Sequence, residues 1–228
     1  MSGLKHAVRR IPVIGRAAAA AYVWIAERRF HGSAGYWEAR YRSGGTSGSG
    51  SYGELARFKA EVLNGLVESN DVRSVIEFGC GDGHQLKLAR YPSYLGLDVS
   101  PKAVQMCREA FPNDPTKSFL LSRDYAGQTA DLALSLDVIY HLVEDEVFVA
   151  YMRSLFSAAE KLAVIYASNT DEQQVPRPPH VRHRRFTDWV EANQPSWRLE
   201  RVIANRFPYD AATGSGSQAS FFIYERAG

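Results

Sequence analysis

The chain has 228 residues, which is long enough for one well-buried domain and too short for two full-sized enzyme domains. Hydrophobic residues make up 45% of it and charged residues 23%, so the composition excludes a disordered chain and a fibrous one. The formal net charge of +2 gives no overall electrostatic footprint for nucleic acid, and we expect no nucleic-acid partner.

The N-terminal region is the basic end of the chain. Residues 1–42 carry more basic than acidic side chains, and we interpret them as a basic helical extension preceding a main domain of residues 43–228. The apolar run at residues 17–26 (AAAAAYVWIA) is too short to span a bilayer, and no signal-peptide cleavage pattern follows it. A helix packed on the domain, or on a second subunit of a homodimer, is favoured over a membrane contact.

The two cysteines indicate a reducing compartment. Cys80 lies within a glycine-rich loop, where a disulfide to Cys107 would obstruct a ligand. Such cysteine usage is typical of a cytoplasmic protein. Together with the expected lack of a stable membrane span, it predicts a cytoplasmic location.

A glycine- and serine-rich segment leads into the first helix of the domain. Residues 43–53 (SGGTSGSGSYG) have the composition of a flexible linker. Ser51 and Glu54 fit a capping box, and apolar residues then recur at helical spacing through residue 67. We therefore expect an amphipathic helix here, with residues 43–53 forming a lid over a ligand.

The remaining pattern alternates strands and helices. Short apolar runs at residues 74–78, 94–97, 119–121, 132–136 and 162–167 are separated by helix-compatible segments, which is typical of a parallel sheet covered on both faces. Ser100 and Pro101 mark a helix start. After a long loop at residues 168–185 and a short helix at 186–193, residues 197–207 and 220–224 form a closing antiparallel pair. The prediction is a Rossmann-like α/β fold with a seven-stranded, mostly parallel sheet and a C-terminal antiparallel hairpin.

The most specific motif is a strand that runs into a glycine loop. Residues 75–83 read VIEFGCGDG, and Asp98 ends the next predicted strand, where it can accept hydrogen bonds from a ribose diol. A nicotinamide-dependent enzyme also binds its cofactor with a glycine loop after a strand and an acidic residue for the ribose. Its fingerprint is G-x-G-x-x-G, however, whereas here G-x-G-x-G is followed by His84. The acidic Glu77 also suits a cationic methionine group better than a pyrophosphate.

These residues resemble a family. The motifs EFGCGDG, GLD, SRDY and DLALSLDVIYHL are similar, in this order, to those of class I S-adenosylmethionine-dependent methyltransferases, over roughly residues 50–225. The resemblance implies S-adenosylmethionine as cofactor, with Asp98 at the ribose, Asp124 at the adenine amine and Tyr125 beside the ring. An ordinary turn and an exposed aromatic are the alternatives for Asp124 and Tyr125. The other predicted cofactor-binding residues are Glu77, Gly79, Cys80, Gly81, Val99 and Leu136.

His141 is the candidate general base. It follows the fourth predicted strand, at the carboxyl end where open α/β sheets bind ligands, and a neutral imidazole suits proton removal from a hydroxyl. A helix-capping or packing histidine is the alternative. Asp137, Glu144 and Asp145 could bind Mg²⁺, but carboxylates at a helix start are equally explained by the helix dipole. We therefore assign no metal firmly and keep Mg²⁺ near Asp137 as a minor alternative.

A second polar cluster lies in the loop of residues 168–185. We expect His180, Arg182 and His183, with Asp137 and Tyr140, to bind the acceptor. A solvated basic loop is the alternative. Metal ligation by His180 and His183 is disfavoured, because no matching Cys or His pair occurs elsewhere.

A narrower resemblance concerns the acceptor. The segments YWEARY, SGGTSGSGSYG, FKAEVLN and HVRHRRFTDWV are similar to those of bacterial O-methyltransferases found with polysaccharide biosynthesis, including mycobacterial sugar 1-O-methyltransferases. The similarity implies a saccharide hydroxyl as acceptor. A small-metabolite or protein methyltransferase, and a cofactor-binding module without catalysis, remain as alternatives. Methylation of nucleic-acid bases is disfavoured, because residues 136–139 (LDVI) lack the expected Asn/Asp-Pro-Pro-aromatic motif.

Overall fold

The computed structural model describes residues 30–175 and 177–227. The predicted apolar run at residues 17–26 and most of the N-terminal extension lie outside them. The helices in this part of the chain are α1 (Gly32–Arg42), α2 (Gly53–Ser69), α3 (Pro101–Ala110), α4 (Asp145–Ala158) and α5 (Phe186–Asn193). The strands are β1 (Val75–Phe78), β2 (Tyr94–Asp98), β3 (Lys117–Leu121), β4 (Ala130–Leu136), β5 (Ala159–Ala167), β6 (Trp197–Ile203) and β7 (Ser220–Arg226).

The strands form one sheet in the order β3-β2-β1-β4-β5-β7-β6. Strands β1 to β5 pair with one another in parallel, whereas β7 runs antiparallel to both β5 and β6. The predicted seven-stranded, Rossmann-like sheet with an antiparallel C-terminal hairpin is thereby confirmed.

Two apolar cores cover the two faces of this sheet. Successive strand residues point to opposite faces, so Val75 joins one core and Ile76 the other. Helices α2 and α3 supply the first core, with Leu63 and Val104 among its members, and helices α4 and α5 supply the second. Burial of both faces explains why the parallel strands read as continuous apolar runs.

The two predicted helix caps have different outcomes. Ser100 caps α3 as expected, its Oγ accepting a hydrogen bond from the Ala103 amide at 3.1 Å. The capping box at Ser51 is wrong, because Tyr52 is the N-cap residue of α2 and no side chain caps it. Ser51 instead ends a short 3₁₀ turn and faces a cavity.

Strand β6 is shorter than predicted. It ends at Ile203 and not at residue 207, because the side-chain oxygen of Asn205 accepts a hydrogen bond from the Phe207 amide at 2.9 Å and turns the chain away from the sheet. Residues 204–219 then form an irregular connection to β7.

Helix α1 packs on the domain near the end of β4. The Glu144 carboxylate accepts hydrogen bonds from the Ser33 amide at 2.9 Å and the Ser33 hydroxyl at 2.5 Å, so an anion lies at the positive N-terminal end of the helix. Further along α1, Glu38 accepts from the Ser100 hydroxyl at 2.5 Å. These contacts fix α1 across the edge of the sheet where the parallel strands end. No helix in the described part of the chain is both long and apolar enough to cross a membrane.

Candidate active site

A cavity of about 390 Å³ lies at the carboxyl ends of β1, β2 and β4. The strand order reverses between β1 and β4, and this is the position where open α/β sheets bind ligands. The glycine loop after β1 forms the floor, helix α1 and residues 47 and 51 form one wall, and the turn after β4 forms another. Of the predicted site residues, those that line the cavity are Glu77, Gly79, Cys80, Gly81, Asp98, Val99, Tyr125, Leu136, Asp137 and His141.

The glycine loop requires glycine for two reasons. Gly79 and Gly81 have φ angles of +87° and +60°, which L-residues rarely adopt. A Cβ on Gly79 would lie 2.5 Å from a methyl group of Val138, and one on Gly81 would collide with the Ser47 hydroxyl. The loop thus brings bare backbone to the cavity.

Asp98 is buried beside this loop. Its carboxylate accepts hydrogen bonds from the backbone amides of Gly81 and Ser100, both at 2.9 Å. Burial raises the pKa of Asp98 to about 6, although these amide donors act in the opposite direction. A carboxylate has about four acceptor sites, so Asp98 retains capacity for the two hydroxyls of a ribose.

Glu77 is the second buried carboxyl of the cavity. Its Oε2 accepts a hydrogen bond from the Tyr94 hydroxyl at 2.6 Å. Burial raises the pKa of Glu77 to about 7, while Tyr94 and the nearby Lys59 cation lower it. Such a carboxyl is poised to ionise when a cationic group enters the cavity.

The predicted adenine end is only partly brought together. Tyr125 lines the cavity and packs edge-on against Phe78, with ring centroids 5.3 Å apart. Asp124 is exposed, 3.8 Å from the Arg123 guanidinium, and is not among the lining residues. Ser122, from the same turn, faces the cavity instead. Contact of Asp124 with an adenine amine stays a prediction.

The segment at residues 43–53 is tied to the glycine loop. The Ser47 amide donates to the Asp82 carboxylate, and the Asp82 amide donates to the Ser47 hydroxyl, both at 2.9 Å. The Tyr52 hydroxyl also donates to Asp82, at 2.8 Å. The Tyr41 hydroxyl of α1 lies 3.0 Å from Ser47 Oγ. Residues 43–53 therefore lie over one side of the cavity.

His141 lines the cavity from the turn after β4. Its Nδ1 lies 2.9 Å from the backbone oxygen of His180. Because a carbonyl oxygen only accepts, Nδ1 carries the proton and Nε2 keeps its lone pair. Burial lowers the pKa of His141 to about 4, so the ring is neutral at pH 7. The edge of Trp37 packs against it, with ring centroids 4.9 Å apart.

Asp137, beside His141, has unusual backbone geometry and two side-chain partners. Its φ angle of +60° is uncommon for a residue other than glycine. Lys59 Nζ donates to Oδ2 at 2.7 Å, and the Tyr140 hydroxyl donates to Oδ1 at 2.8 Å. Both oxygens therefore have partners without Mg²⁺, and the described residues contain no group of three or more potential metal ligands.

The loop of residues 168–185 packs behind the cavity. Arg182 donates to the Val143 carbonyl oxygen and to Asp145, both at 3.0 Å. The buried His183 has its Nδ1 2.6 Å from Ser168 Oγ, and His180 stacks on Tyr36 of α1 at 4.1 Å. Neither Tyr140 nor any of these three predicted acceptor-binding residues of the loop lines the cavity.

Comparison with known proteins agrees with this arrangement. Residues 52–207, more than half of the chain, match a family described as a methyltransferase domain. The chain belongs to this methyltransferase family. A search of curated protein sequences gave no match.

Solved structures have the same fold. The N-methyltransferase NodS from Bradyrhizobium japonicum WM9, in complex with S-adenosylhomocysteine, has a TM-score of 0.64 at 13% identity, over 86% of this methyltransferase and 100% of that chain. The methyltransferase domain of bacterial CtHen1-C has a TM-score of 0.60 at 18% identity, over 77% and 100%. Magnesium protoporphyrin IX methyltransferase from Synechocystis PCC 6803 with bound S-adenosylhomocysteine has 0.59 at 18%, over 87% and 97%. At these identities the likeness establishes the fold.

Trp37, Tyr41 and Lys59 are among the cavity-lining residues of the methyltransferase that the sequence did not predict. Trp37 and Tyr41 belong to the segment YWEARY of the N-terminal extension, which contributed to the resemblance but was not assigned to the site. Lys59 lies four residues after Leu55, on the stripe that α2 buries. A lysine on an apolar stripe was the available signal.

Proposed function

We propose that this methyltransferase transfers the methyl group of S-adenosylmethionine to a hydroxyl of a sugar or oligosaccharide, with His141 as the general base. The observation that carries the proposal is the hydrogen bond from His141 Nδ1 to the His180 carbonyl, because it leaves Nε2 free to take a proton on a residue that lines the cavity. The neutral ring at pH 7 supports the same role.

The residues of the cavity fit S-adenosylmethionine. Glycine positions that exclude a Cβ let the ligand approach the backbone, and buried Asp98 has acceptor capacity for the ribose diol. Glu77, which lines the cavity, suits the cationic methionine group. Two neighbours in fold, NodS and magnesium protoporphyrin IX methyltransferase, were crystallised with S-adenosylhomocysteine. Bound S-adenosylmethionine supplies an electrophilic methyl group on a sulfonium.

The residues of this chain then have two tasks. His141 Nε2 takes the proton from the acceptor hydroxyl, so that its oxygen can form the new C–O bond while the C–S bond to the methyl group breaks and S-adenosylhomocysteine leaves. Asp137, held by Lys59 and Tyr140, offers a fixed carboxylate to the other hydroxyls of the acceptor. Trp37 adds an apolar ring beside His141, against which the C–H face of a sugar can pack. Orientation of the acceptor supplies much of the rate enhancement, because in-line transfer needs little other chemical help.

A panel of acceptors tests the proposal. We expect release of S-adenosylhomocysteine with mono- or oligosaccharides, including short mannosides, and none above background with phenols, peptides or small amines. Each acceptor is assayed with wild type and with His141→Ala, so that only release dependent on His141 is counted. Turnover of amines or peptides alone would make the chain a different kind of methyltransferase. Tight binding of S-adenosylhomocysteine without turnover of any acceptor would favour a non-catalytic binding module.

A further inference from the structure

Lys59 is a fully buried cation with a single carboxylate partner. Its side chain is only 1% exposed, although it lines the cavity. Nζ lies 2.7 Å from Asp137 Oδ2 and 5.3 Å from the centre of the Tyr166 ring. Removing a lysine from water is unfavourable, and the ion pair and the aromatic face offset that cost only in part. A leucine or methionine would suit this position on α2 better if packing were its only role.

The partner of Lys59 is held in an uncommon conformation at the acceptor side of the cavity. Asp137 adopts a φ of +60° directly after β4, and its amide donates to the Tyr166 carbonyl oxygen at 2.9 Å. A Cβ on Gly50 would lie 2.8 Å from Asp137 Oδ2, so residues 43–53 approach the same carboxylate. Strained backbone of this kind is concentrated at functional sites.

The charged and titratable groups around Asp137 come from every element packed against it. Lys59 from α2 and Tyr140 from its own turn donate to it, Tyr166 from β5 lies beneath Lys59, and His141 lies in the same turn after β4. The charge of Asp137 favours the protonated form of His141. Lys59 therefore holds in place a carboxylate that lies beside the proposed base.

We propose that Lys59 is a positioning residue for the acceptor, which fixes the Asp137 carboxylate so that its remaining acceptor sites bind acceptor hydroxyls. This inference rests on the proposed function in one respect, namely that the acceptor carries hydroxyl groups. Lys59 and Tyr140 occupy one site on each oxygen, and about two of the four sites of the carboxylate remain for the acceptor. Lys59 itself does not touch the reacting atoms.

The test compares Lys59→Met, Lys59→Gln and Lys59→Arg with wild type. The matched control is Glu61→Gln, a change on the same helix as Lys59. It removes the exposed ion pair between Glu61 and Arg206. In each variant the chemical shift of the Asp137 carboxyl carbon is measured by ¹³C NMR at one fixed pH, its signal being assigned by comparison with Asp137→Asn. Binding of S-adenosylhomocysteine is measured by calorimetry. KM and kcat are measured with the saccharide that wild type turns over.

We expect Lys59→Met and Lys59→Gln to change the chemical shift of the Asp137 carboxyl carbon, because Oδ2 loses the charged donor that lies 2.7 Å away. The KM for the acceptor should rise about tenfold to a hundredfold, as for the loss of a hydrogen bond to a charged group. Affinity for S-adenosylhomocysteine should fall by a smaller factor, because the Lys59 cation also lowers the pKa of Glu77. Lys59→Arg, which keeps the charge, should stay closer to wild type in the acceptor KM than the neutral variants, and Glu61→Gln should match wild type throughout. Lys59→Gln serves as the neutral variant if Lys59→Met does not fold.

Two results would overturn the inference. One is an unchanged chemical shift of the Asp137 carboxyl carbon in the neutral variants. The other is a changed chemical shift with an unchanged KM, which would make the pair a structural ion pair only. If wild type turns over no hydroxyl acceptor, the proposed function fails, and the chemical shift still decides whether Lys59 holds the Asp137 carboxylate.

Discussion

The Nδ1 atom of His141 lies 2.9 Å from the backbone oxygen of His180, and this contact links the turn after β4 to the loop after β5. The His180 ring in turn stacks on Tyr36 of α1, with centroids 4.1 Å apart and planes 8° from parallel. The tautomer and orientation of His141 are thus set by two segments that are distant in sequence. His180 acts through its backbone and its stacking, and its own ring does not line the cavity.

Replacing His141 by alanine should remove most turnover and preserve cofactor binding. We expect a loss of about 10²- to 10⁴-fold in kcat, the usual contribution of a general base. Affinity for S-adenosylhomocysteine, measured by calorimetry, should remain near that of wild type, because we assign cofactor binding to Glu77, Asp98 and the glycine loop and not to the His141 ring. His31→Ala, at the exposed start of α1, is the control. Near-normal turnover of His141→Ala would make His141 a packing residue.

The pH dependence of the wild-type rate provides a second, separate prediction. An ordinary histidine base would give a rate that rises through about pH 6 to 7. Because burial lowers the pKa of His141 to about 4, the base stays neutral throughout that range and kcat/KM should not rise across it on account of His141. The loss of activity should begin only as the pH falls towards 4. A limb near pH 6.5 that disappears in His141→Ala would show that the base titrates normally.

Asp98→Ala should weaken binding of S-adenosylhomocysteine. The ribose would lose a charged hydrogen-bond partner worth about 1.5–3 kcal/mol, or roughly tenfold to a hundredfold in affinity. Calorimetry measures the change, and Asp98→Asn, which keeps an acceptor for the Gly81 amide, should show a smaller loss. Asp124→Ala tests the exposed residue that the sequence motifs place at the adenine. An unchanged affinity in Asp98→Ala would exclude Asp98 from the ribose site.

Binding of the cofactor should release protons near neutral pH. Burial raises the pKa of Glu77 to about 7, so part of the protein carries a neutral Glu77 at pH 7. A cationic ligand binds the ionised form better, and affinity should therefore increase as the pH rises through 7 and decrease below it. Calorimetry in buffers of different ionisation enthalpy measures the protons released. Glu77→Gln should bind weakly and release fewer of them; equal release in both proteins would contradict the assignment.

The strands and the glycine loop could be predicted from the sequence, because residues close together along the chain determine them. The strand, the glycine loop and Asp98 form a local β-loop-β unit, and the order of buried strands follows from apolar runs of strand length. These patterns were sufficient for the sheet and for placing Glu77, Asp98 and the glycine loop at one cavity. The cap of α2 was not predicted correctly, because Ser51 and Glu54 fit a local rule that the contact of residues 43–53 with the glycine loop overrides.

The acceptor side depends on contacts between distant residues, which no local pattern contains. The sequence placed Arg182 and His183 at the acceptor because of their residue types. In the structure, Arg182 and Arg184 bind the backbone oxygens of the turn that holds His141, and His183 is buried against Ser168. The depressed pKa of His141 likewise arises from burial by α1 and the loop after β5.

Residues 43–53 should open to admit the cofactor and close over it. In the structure this segment is held to the glycine loop through Asp82, by reciprocal hydrogen bonds with Ser47 and one from Tyr52. The double variant Ser47→Ala with Tyr52→Phe removes the side-chain part of this contact and leaves Asp82 in place. Two lost hydrogen bonds, each worth about 1 kcal/mol, should raise the dissociation rate of S-adenosylhomocysteine by roughly tenfold or more, measured by stopped-flow competition.

Limited proteolysis supplies the second measurement, since S-adenosylhomocysteine should protect residues 43–53 in wild type and protect them less in the double variant. Tyr209→Phe, a change at an exposed tyrosine of the connection to β7, is the control. Equal cleavage with and without S-adenosylhomocysteine in wild type would mean that the segment does not move with the cofactor, because a closing lid must change its exposure when the ligand binds.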